Sequence, residues 1–292
     1  MRLQQDVAHG TWDYPFQVHN TELTNGLSLY PHVHSELEIT CITKGQGIFC
    51  INGQDYPVNK GTLLVIPSEA IHLAYPTMNE PASFFSIVFS PACFCLDGNN
   101  RIYTKYIAPI LERRRLFPEY LCGSNKGLTD NQYSDIWRAA REVESAALVP
   151  DGELLTQGAL LRLWYLLFQL STEQSVTAAA DLRSLRLKDS IDYMHANFSS
   201  HISISDLASI AHMSEGHFSR TFKDYMKMSP LNYLIKIRIR ESAKLLKDSN
   251  LPIGEIALSC GFNDFSYFGR HFKREMKCSP RKYRNDKESI LT

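Results

Sequence analysis

Two stretches of this chain are copies of one another. FSRTFKDYMKMSP, beginning at Phe218, returns as FGRHFKREMKCSP from Phe268, so Arg220/Arg270, Phe222/Phe272, Lys223/Lys273, Ser229/Ser279, Pro230/Pro280 and Tyr233/Tyr283 recur 50 residues apart. Upstream, Ile204 and Asp206–Ala208 match Ile253 and Glu255–Ala257 at a separation of 49. A repeat of this length must be one small supersecondary unit used twice. The single extra residue falls between two apolar runs, where a turn absorbs it.

Each copy reads as helix, turn, helix. In the first, Ser205 is placed to cap a short helix ending near Ala211, His212-Met213 turn the chain, and Ser214 caps a second helix through Tyr225. In the second, a helix over Ile253–Ser259 leads to a turn at Cys260-Gly261-Phe262, and Asn263 or Asp264 caps a helix through about Met276. Phe218, Phe222 and Tyr225 keep i, i+4, i+7 spacing and predict a core stripe, as do Phe268 and Phe272. The opposite faces carry Glu215, Gly216, Ser219, Arg220 and Lys223 in one copy, and Phe265, Ser266, Gly269, Arg270 and Lys273 in the other. Small residues let a helix sink into a major groove, where Arg can pair with guanine O6 and N7. Lys223, Lys273 and Arg274 suit phosphates, which give affinity without sequence information. Because Glu215-Gly216 is matched by Phe265-Ser266, each copy should read a different sequence, giving a directional site per chain. Between the copies, Leu231–Ser249 reads as one helix of 19 residues, about 28 Å at 1.5 Å per residue. Successive major-groove faces lie about 34 Å apart, so this connector could set both copies on adjacent turns.

Charge agrees with this division. The chain has 31 Lys+Arg and 31 Asp+Glu, yet residues 183–284 hold 18 basic against 10 acidic residues, leaving 13 against 21 elsewhere. One half suits a polyanion and the other does not.

Residues 183–284 resemble the AraC/XylS-type DNA-binding domain. The motif I-G-E-I-A-x-x-x-G-F-x-D-x-S-Y-F-x-R-x-F-K-x-x-x-x-x-S-P-x-x-Y-R is filled from Ile253 to Arg284, with Cys278 where the family often has Gly. The resemblance implies two helix-turn-helix units bridged by a long helix, with bases read from the first turns of the second helices.

The first 95 residues read as β: LEITCIT, GIFCI, TLLVIP and SFFSIVFS are separated by turn residues, with Asn52-Gly53 as a hairpin signal. An antiparallel barrel or sandwich is expected. Within it lies Gly26-x5-His32-x-His34-x3-Glu38-x6-Gly45, followed by Gly61-x5-Pro67 and His72. Alternation along a strand would put His32, His34 and Glu38 on one face. With His72 they form a set suited to a divalent metal, or equally to hydrogen bonding a hydroxylated ligand. Tyr30, Glu36 and Tyr75 are further pocket candidates. These motifs resemble the cupin family, with Glu69 in place of the second motif's inner Gly and Pro76 in place of its Asn. Fused to this kind of DNA-binding domain, the cupin resemblance implies an effector-sensing half that binds a sugar or related molecule and needs no metal.

Residues 101–172 turn helical, with amphipathic Asp130–Ala147 and apolar Glu153–Leu170 expected to pack on the barrel; the resemblance adds a homodimer interface here. Arg113-Arg114-Arg115 reads as a solvated run. The seven cysteines, including the lone Cys93-x-Cys95, fit no disulfide or zinc pattern and read as reduced thiols.

The expected architecture is α+β: a cupin-like jelly-roll barrel (1–100), a helical segment (101–172), a linker (173–182) and an all-α domain with two helix-turn-helix units (183–285). The expected function is a cytoplasmic, DNA-binding, sugar-responsive activator with no membrane contact and no required cofactor. Its partners would be double-stranded DNA, the effector, a second copy and RNA polymerase. Two alternatives stand beside it: a cupin-type metalloenzyme built on His32, His34, Glu38 and His72, and a ligand-independent regulator with a structural barrel.

Overall fold

The computed structural model describes residues 9–11, 13–24, 29–77, 81–94, 96, 98, 100–123, 125, 128–173 and 182–285. The chain divides into two compact units, Gln4–Ser184 and Leu185–Thr292. Most of the expected linker, Gly26 of the first cupin-like motif and Cys95 lie outside the described residues.

The first unit carries eight main strands: β1 (Phe16–Leu23), β2 (Leu29–His32), β3 (Leu37–Lys44), β4 (Gln46–Ile51), β5 (Gln54–Asn59), β6 (Leu63–Ile66), β7 (His72–Pro76) and β8 (Ala82–Phe89). Three short ones follow: β9 (Arg115–Leu116), β10 (Tyr120–Leu121) and β11 (Thr172–Glu173). They form antiparallel sheets in the orders β1-β8-β3-β6-β10 and β2-β7-β4-β5, plus the pair β11-β9. Asn52 and Gly53 both take positive φ, 48° and 85°, giving the tight turn that joins β4 to β5.

Period-2 alternation sorts the first sheet into two buried faces. Ile42, Leu64, Ile66 and Phe84 meet Phe49, Ile51, Val58 and Ala74 of the second sheet. Leu37, Ile39, Cys41, Leu63, Val65, Phe85, Ile87 and Phe89 face away from it, into a core with Ile136, Ala140, Val143, Leu160, Trp164 and Leu167. Those last residues come from α2 (Asp130–Ala146) and α3 (Glu153–Leu170), which follow the short α1 (Ala108–Leu111). Because both faces are covered, Leu37–Ile42 of β3 are all buried, including the polar Glu38 and Thr40. Thr129 and Gln132 form a capping box that starts α2. Tyr133 and Trp137 donate to the Gly61 carbonyl, tying α2 to the sheet.

Arg115 corrects the solvated-run reading. It donates to the Ser171 hydroxyl at 2.9 Å and the Ser171 carbonyl at 2.5 Å, pairs with Glu173 at 3.2 Å, and lies over the Phe168 ring. It fastens the chain leaving α3 to β9, whereas Arg113 and Arg114 are exposed.

The second unit contains most of α4 (Leu182–Asn197) and all of α5 (Ile204–Ile210), α6 (Glu215–Met226), α7 (Pro230–Asp248), α8 (Ile253–Ser259), α9 (Phe265–Met276) and α10 (Pro280–Asn285). The cap of α5 is Ser203, in a reciprocal capping box with Asp206, and not Ser205. Asp206 supplies an acidic side chain three residues after Ser203, and that pair satisfies two amide groups where Ser205 could satisfy at most one. Ser214, Ser229 and Asp264 cap α6, α7 and α9. The turn within each copy needs one left-handed residue, Gly261 at φ 81° in the second and His212 at φ 52° in the first. Phe218 and Phe222 are fully buried, as are Phe268 and Phe272, so each second helix is fixed by the same two rings.

Candidate functional site

The first unit buries a histidine–carboxylate cluster at one end of the two sheets. His32 ends β2 and sits directly opposite His72 at the start of β7. Glu38 belongs to β3, in the other sheet. The chain leaves strand geometry between His32 and Leu37, so the three residues do not share one strand face as alternation predicted. Leaving the strand lets the chain cross from one sheet to the other, and the crossing gathers His32, His34, Glu38 and His72, whose ligating atoms lie within 4.8 Å of one another. All four are at least 92% buried, with His72 wholly so.

Backbone acceptors fix the rings. His32 Nδ1 lies 2.8 Å from the Tyr30 carbonyl, His34 Nδ1 3.1 Å from that of Glu36, and His72 Nδ1 2.9 Å from that of Ala70. Each Nδ1 therefore carries a proton and donates. In the neutral ring Nε2 is then a lone pair, as in histidines that ligate metals. Yet His34 Nε2 and His72 Nε2 lie 3.1 and 3.2 Å from the same Glu38 Oε2. Lone pairs facing a carboxylate repel, so a positive charge belongs in the gap, either a second proton on the rings or a metal cation. Burial works to raise the Glu38 pKa, but hydrogen bonds and charge from His34 and His72 outweigh it and hold the carboxyl well below its usual range. Burial and the charge of His72 push His32 well below the usual imidazole value. His34 is raised despite burial, through its hydrogen bond and charge interaction with Glu38.

Thr40, two residues beyond Glu38 on the same strand face, donates to Glu38 Oε1 at 2.6 Å and lies 2.8 Å from Ser86 Oγ. Period-2 spacing from Glu38 was the available signal for Thr40; Ser86 had none, since only strand pairing sets it opposite Thr40. His9 and His19 also approach, joined by a 2.9 Å Nδ1–Nε2 contact, with the His9 ring 5.1 Å from that of His34. Burial, with charge from His34 and His19, lowers His9 to about 4. Of the pocket candidates, Tyr30 and Glu36 supply the carbonyls just named, and the Tyr75 hydroxyl points to Asp55 at 3.4 Å on an exposed edge. Glu69 donates its amide to the His34 carbonyl at 2.9 Å with φ at 64°, the left-handed conformation that explains the Gly expected there.

The second unit presents its helix faces as the repeat requires. Glu215, Gly216, Arg220 and Lys223 of α6 are exposed, as are Phe265, Ser266, Arg270, Lys273 and Arg274 of α9. Ser219 and Gly269 are half-buried at equivalent positions. A Cβ added at Gly216 or Gly269 would meet nothing within 4 Å. Arg274 also bonds to His271 Nδ1 at 2.8 Å and lies 3.5 Å from Glu275.

A buried polar cluster in a two-sheet domain, joined to a duplicated helix-turn-helix unit, defines a DNA-binding regulator with a sensing domain. Residues 24–95 match the model of the AraC-like ligand binding domain, and residues 207–286 that of a helix-turn-helix domain. The chain is 25% identical over 288 residues to the uncharacterized HTH-type transcriptional regulator YdeC of Bacillus subtilis (strain 168), covering 97% of this chain and 96% of that protein. It is 26% identical over 277 residues to the HTH-type transcriptional activator RhaS of Citrobacter koseri, covering 90% and 91%. The C-terminal domain of AraT, a response regulator from Geobacillus stearothermophilus, is 31% identical over 37% of this chain and 90% of that one, with a TM-score of 0.34. The chain belongs to the AraC-type transcriptional regulators: its N-terminal domain is of the ligand-binding kind and its C-terminal domain binds double-stranded DNA. Its relatives are regulators, so the metalloenzyme alternative falls and the chain is not an enzyme. Among the described residues no helix is long and apolar enough to cross a membrane.

Proposed function

We propose that this protein is an activator of carbohydrate-utilisation genes whose N-terminal unit binds a small sugar-like effector at the histidine cluster. The observation that carries the reading is the cluster itself: buried imidazole and carboxylate groups gathered from both sheets suit a hydroxylated ligand, inside a domain of ligand-binding type. The activator assignment rests on likeness to proteins named as activators. His32, His34, Glu38 and His72 contact the effector, with Tyr30 alongside. The exposed faces of α6 and α9 read bases through Glu215, Gly216, Ser219, Arg220, Phe265, Ser266, Gly269 and Arg270, while Lys223, Lys273 and Arg274 hold phosphates. The effector acts by binding the activating state more tightly than the resting one, since equal affinity would shift nothing. Residues 101–172 form the dimer contact through Leu154, Gly158, Leu161 and Tyr165, an i, i+4, i+7, i+11 stripe on α3 in which Leu154 is 82% exposed. RNA polymerase is the further partner of an activator.

The converging Nε2 atoms support a second reading of the same cluster. His32, His34, His72 and Glu38 fit a divalent cation, because a metal would supply the positive charge their fixed tautomers call for. It would anchor an effector by coordinating ligand oxygens.

The test is a thermal-shift screen of the full chain against a sugar panel, with and without chelator, combined with a reporter assay of the His32→Ala/His34→Ala double variant. Stabilisation by a sugar, and loss of response with DNA binding retained, are expected. Normal induction in the double variant would remove the effector site from the cluster.

A further inference from the structure

The two helix-turn-helix units align residue for residue over 215–232 and 265–282, but their charges do not match. The first stretch has three basic residues (Arg220, Lys223, Lys227) against two acidic ones (Glu215, Asp224). The second has six (Arg270, Lys273, Arg274, Lys277, Arg281, Lys282) against one, Glu275. Glu275 is already neutralised within the fold, 3.5 Å from both Lys236 and Arg274. Where the second unit exposes Arg281 and Lys282 at the start of α10, the first exposes Leu231 and Asn232 at the start of α7.

The difference continues at the base-reading end. Glu215 opens α6 with an exposed carboxylate, and Phe265 opens α9 with a ring 58% exposed. A carboxylate next to DNA is repelled by every phosphate. It is compensated where it accepts from the N4 amino group of cytosine, whereas an aromatic edge matches the methyl of thymine.

We infer that the two units divide the work of DNA binding: the α8–α9 unit, with α10, is the phosphate anchor, and the α5–α6 unit is a weak, selective reader gated by Glu215. The anchor draws most of its affinity from phosphates, so it stays bound where its base contacts at Phe265 and Arg270 are imperfect. The first unit adds net affinity only where cytosine stands opposite Glu215, so it is the half of the site whose occupancy depends on sequence. This rests on the reading that α6 and α9 face DNA.

Full-length protein, duplexes selected from a random library, and anisotropy titrations over a range of KCl concentrations test the division. Each phosphate contact contributes about 0.9 to the slope of log affinity against log salt. The variant Lys273→Gln/Arg274→Gln/Arg281→Gln/Lys282→Gln is expected to lower that slope by up to about 3.6, and Lys223→Gln by no more than about 0.9. All these side chains are exposed, and an unchanged melting profile checks the fold. In the opposite direction, Asp224→Arg gives the first unit the residue found at 274 and should steepen the slope by about 0.9. Repeating the selection with Glu215→Gln should erase enrichment of cytosine at one position of one half-site and tighten binding to sites lacking it. A four-residue anchor variant that lowers the slope no more than Lys223→Gln does, with no gain from Asp224→Arg, would overturn the division. Cytosine enrichment that survives Glu215→Gln would overturn the gate. Failure of the wild type to enrich any sequence would remove the base-reading assignment of both helices, a result distinct from either.

Discussion

Thr40→Val tests whether Glu38 is an ionised carboxylate held by hydrogen bonds inside the first unit. Valine has the shape of threonine, so no cavity opens and only the hydroxyl is lost. Thr40 has one proton and gives it to Glu38 Oε1 at 2.6 Å, so Ser86, 2.8 Å away, must donate to Thr40. The substitution removes both bonds. A hydrogen bond to a charged acceptor contributes about 1.5–3 kcal/mol, and leaving the Ser86 hydroxyl unpaired adds about 1 kcal/mol. Burying a methyl recovers about 0.8 kcal/mol. The net cost is about 2–3 kcal/mol, or a fall of about 4–12 °C in the melting temperature of a unit of this size. Tryptophan fluorescence isolates the relevant transition, because Trp12, Trp137 and Trp164 all precede residue 185. A melting temperature that is unchanged or raised would show that the Glu38 carboxyl is neutral and that the charge argument for the cluster is wrong.

Three other outcomes follow from the same geometry. Arg220→Ala and Arg270→Ala should each weaken binding by about 1–3 kcal/mol and relax base preference at one position; uniform loss on all sequences would show that they touch only phosphate. Acidification from pH 7.5 to 5 should lower the melting temperature of the first unit. His9 (about 4 when folded) and His32 are depressed when folded, so their stabilisation is present above the unfolded value of about 6.5 and is lost as pH falls. His34 is shifted the other way and opposes them, and a flat or rising profile would refute the net sign. If the cluster holds a cation, purified protein should contain about one divalent metal per chain, and His72→Ala should release it and flatten any chelator effect; metal content unaffected by the substitution would place the ion elsewhere.

The sequence by itself determined what is local or repeated. Helix periodicity placed α3 at Glu153–Leu170 and α8 at Ile253–Ser259, and hydroxyl or carboxylate caps started α6 and α9, because these signals lie within a few residues of what they control. The duplication made the paired faces of α6 and α9 legible, since two copies packed by the same phenylalanines must expose the same positions. Asn52-Gly53 marked its hairpin for the same local reason. Tertiary structure decided what depends on distant partners. It set His32 opposite His72, brought Glu38 across from the other sheet, and placed Ser86 against Thr40, pairings 34 to 46 residues apart that no local pattern encodes. It chose Ser203 over Ser205 as the cap of α5 and bonded Arg115 to Ser171, 56 residues away. The motif named four residues that belong together. Why they do became visible only when three backbone carbonyls fixed the tautomers of the rings and left one carboxylate facing two lone pairs.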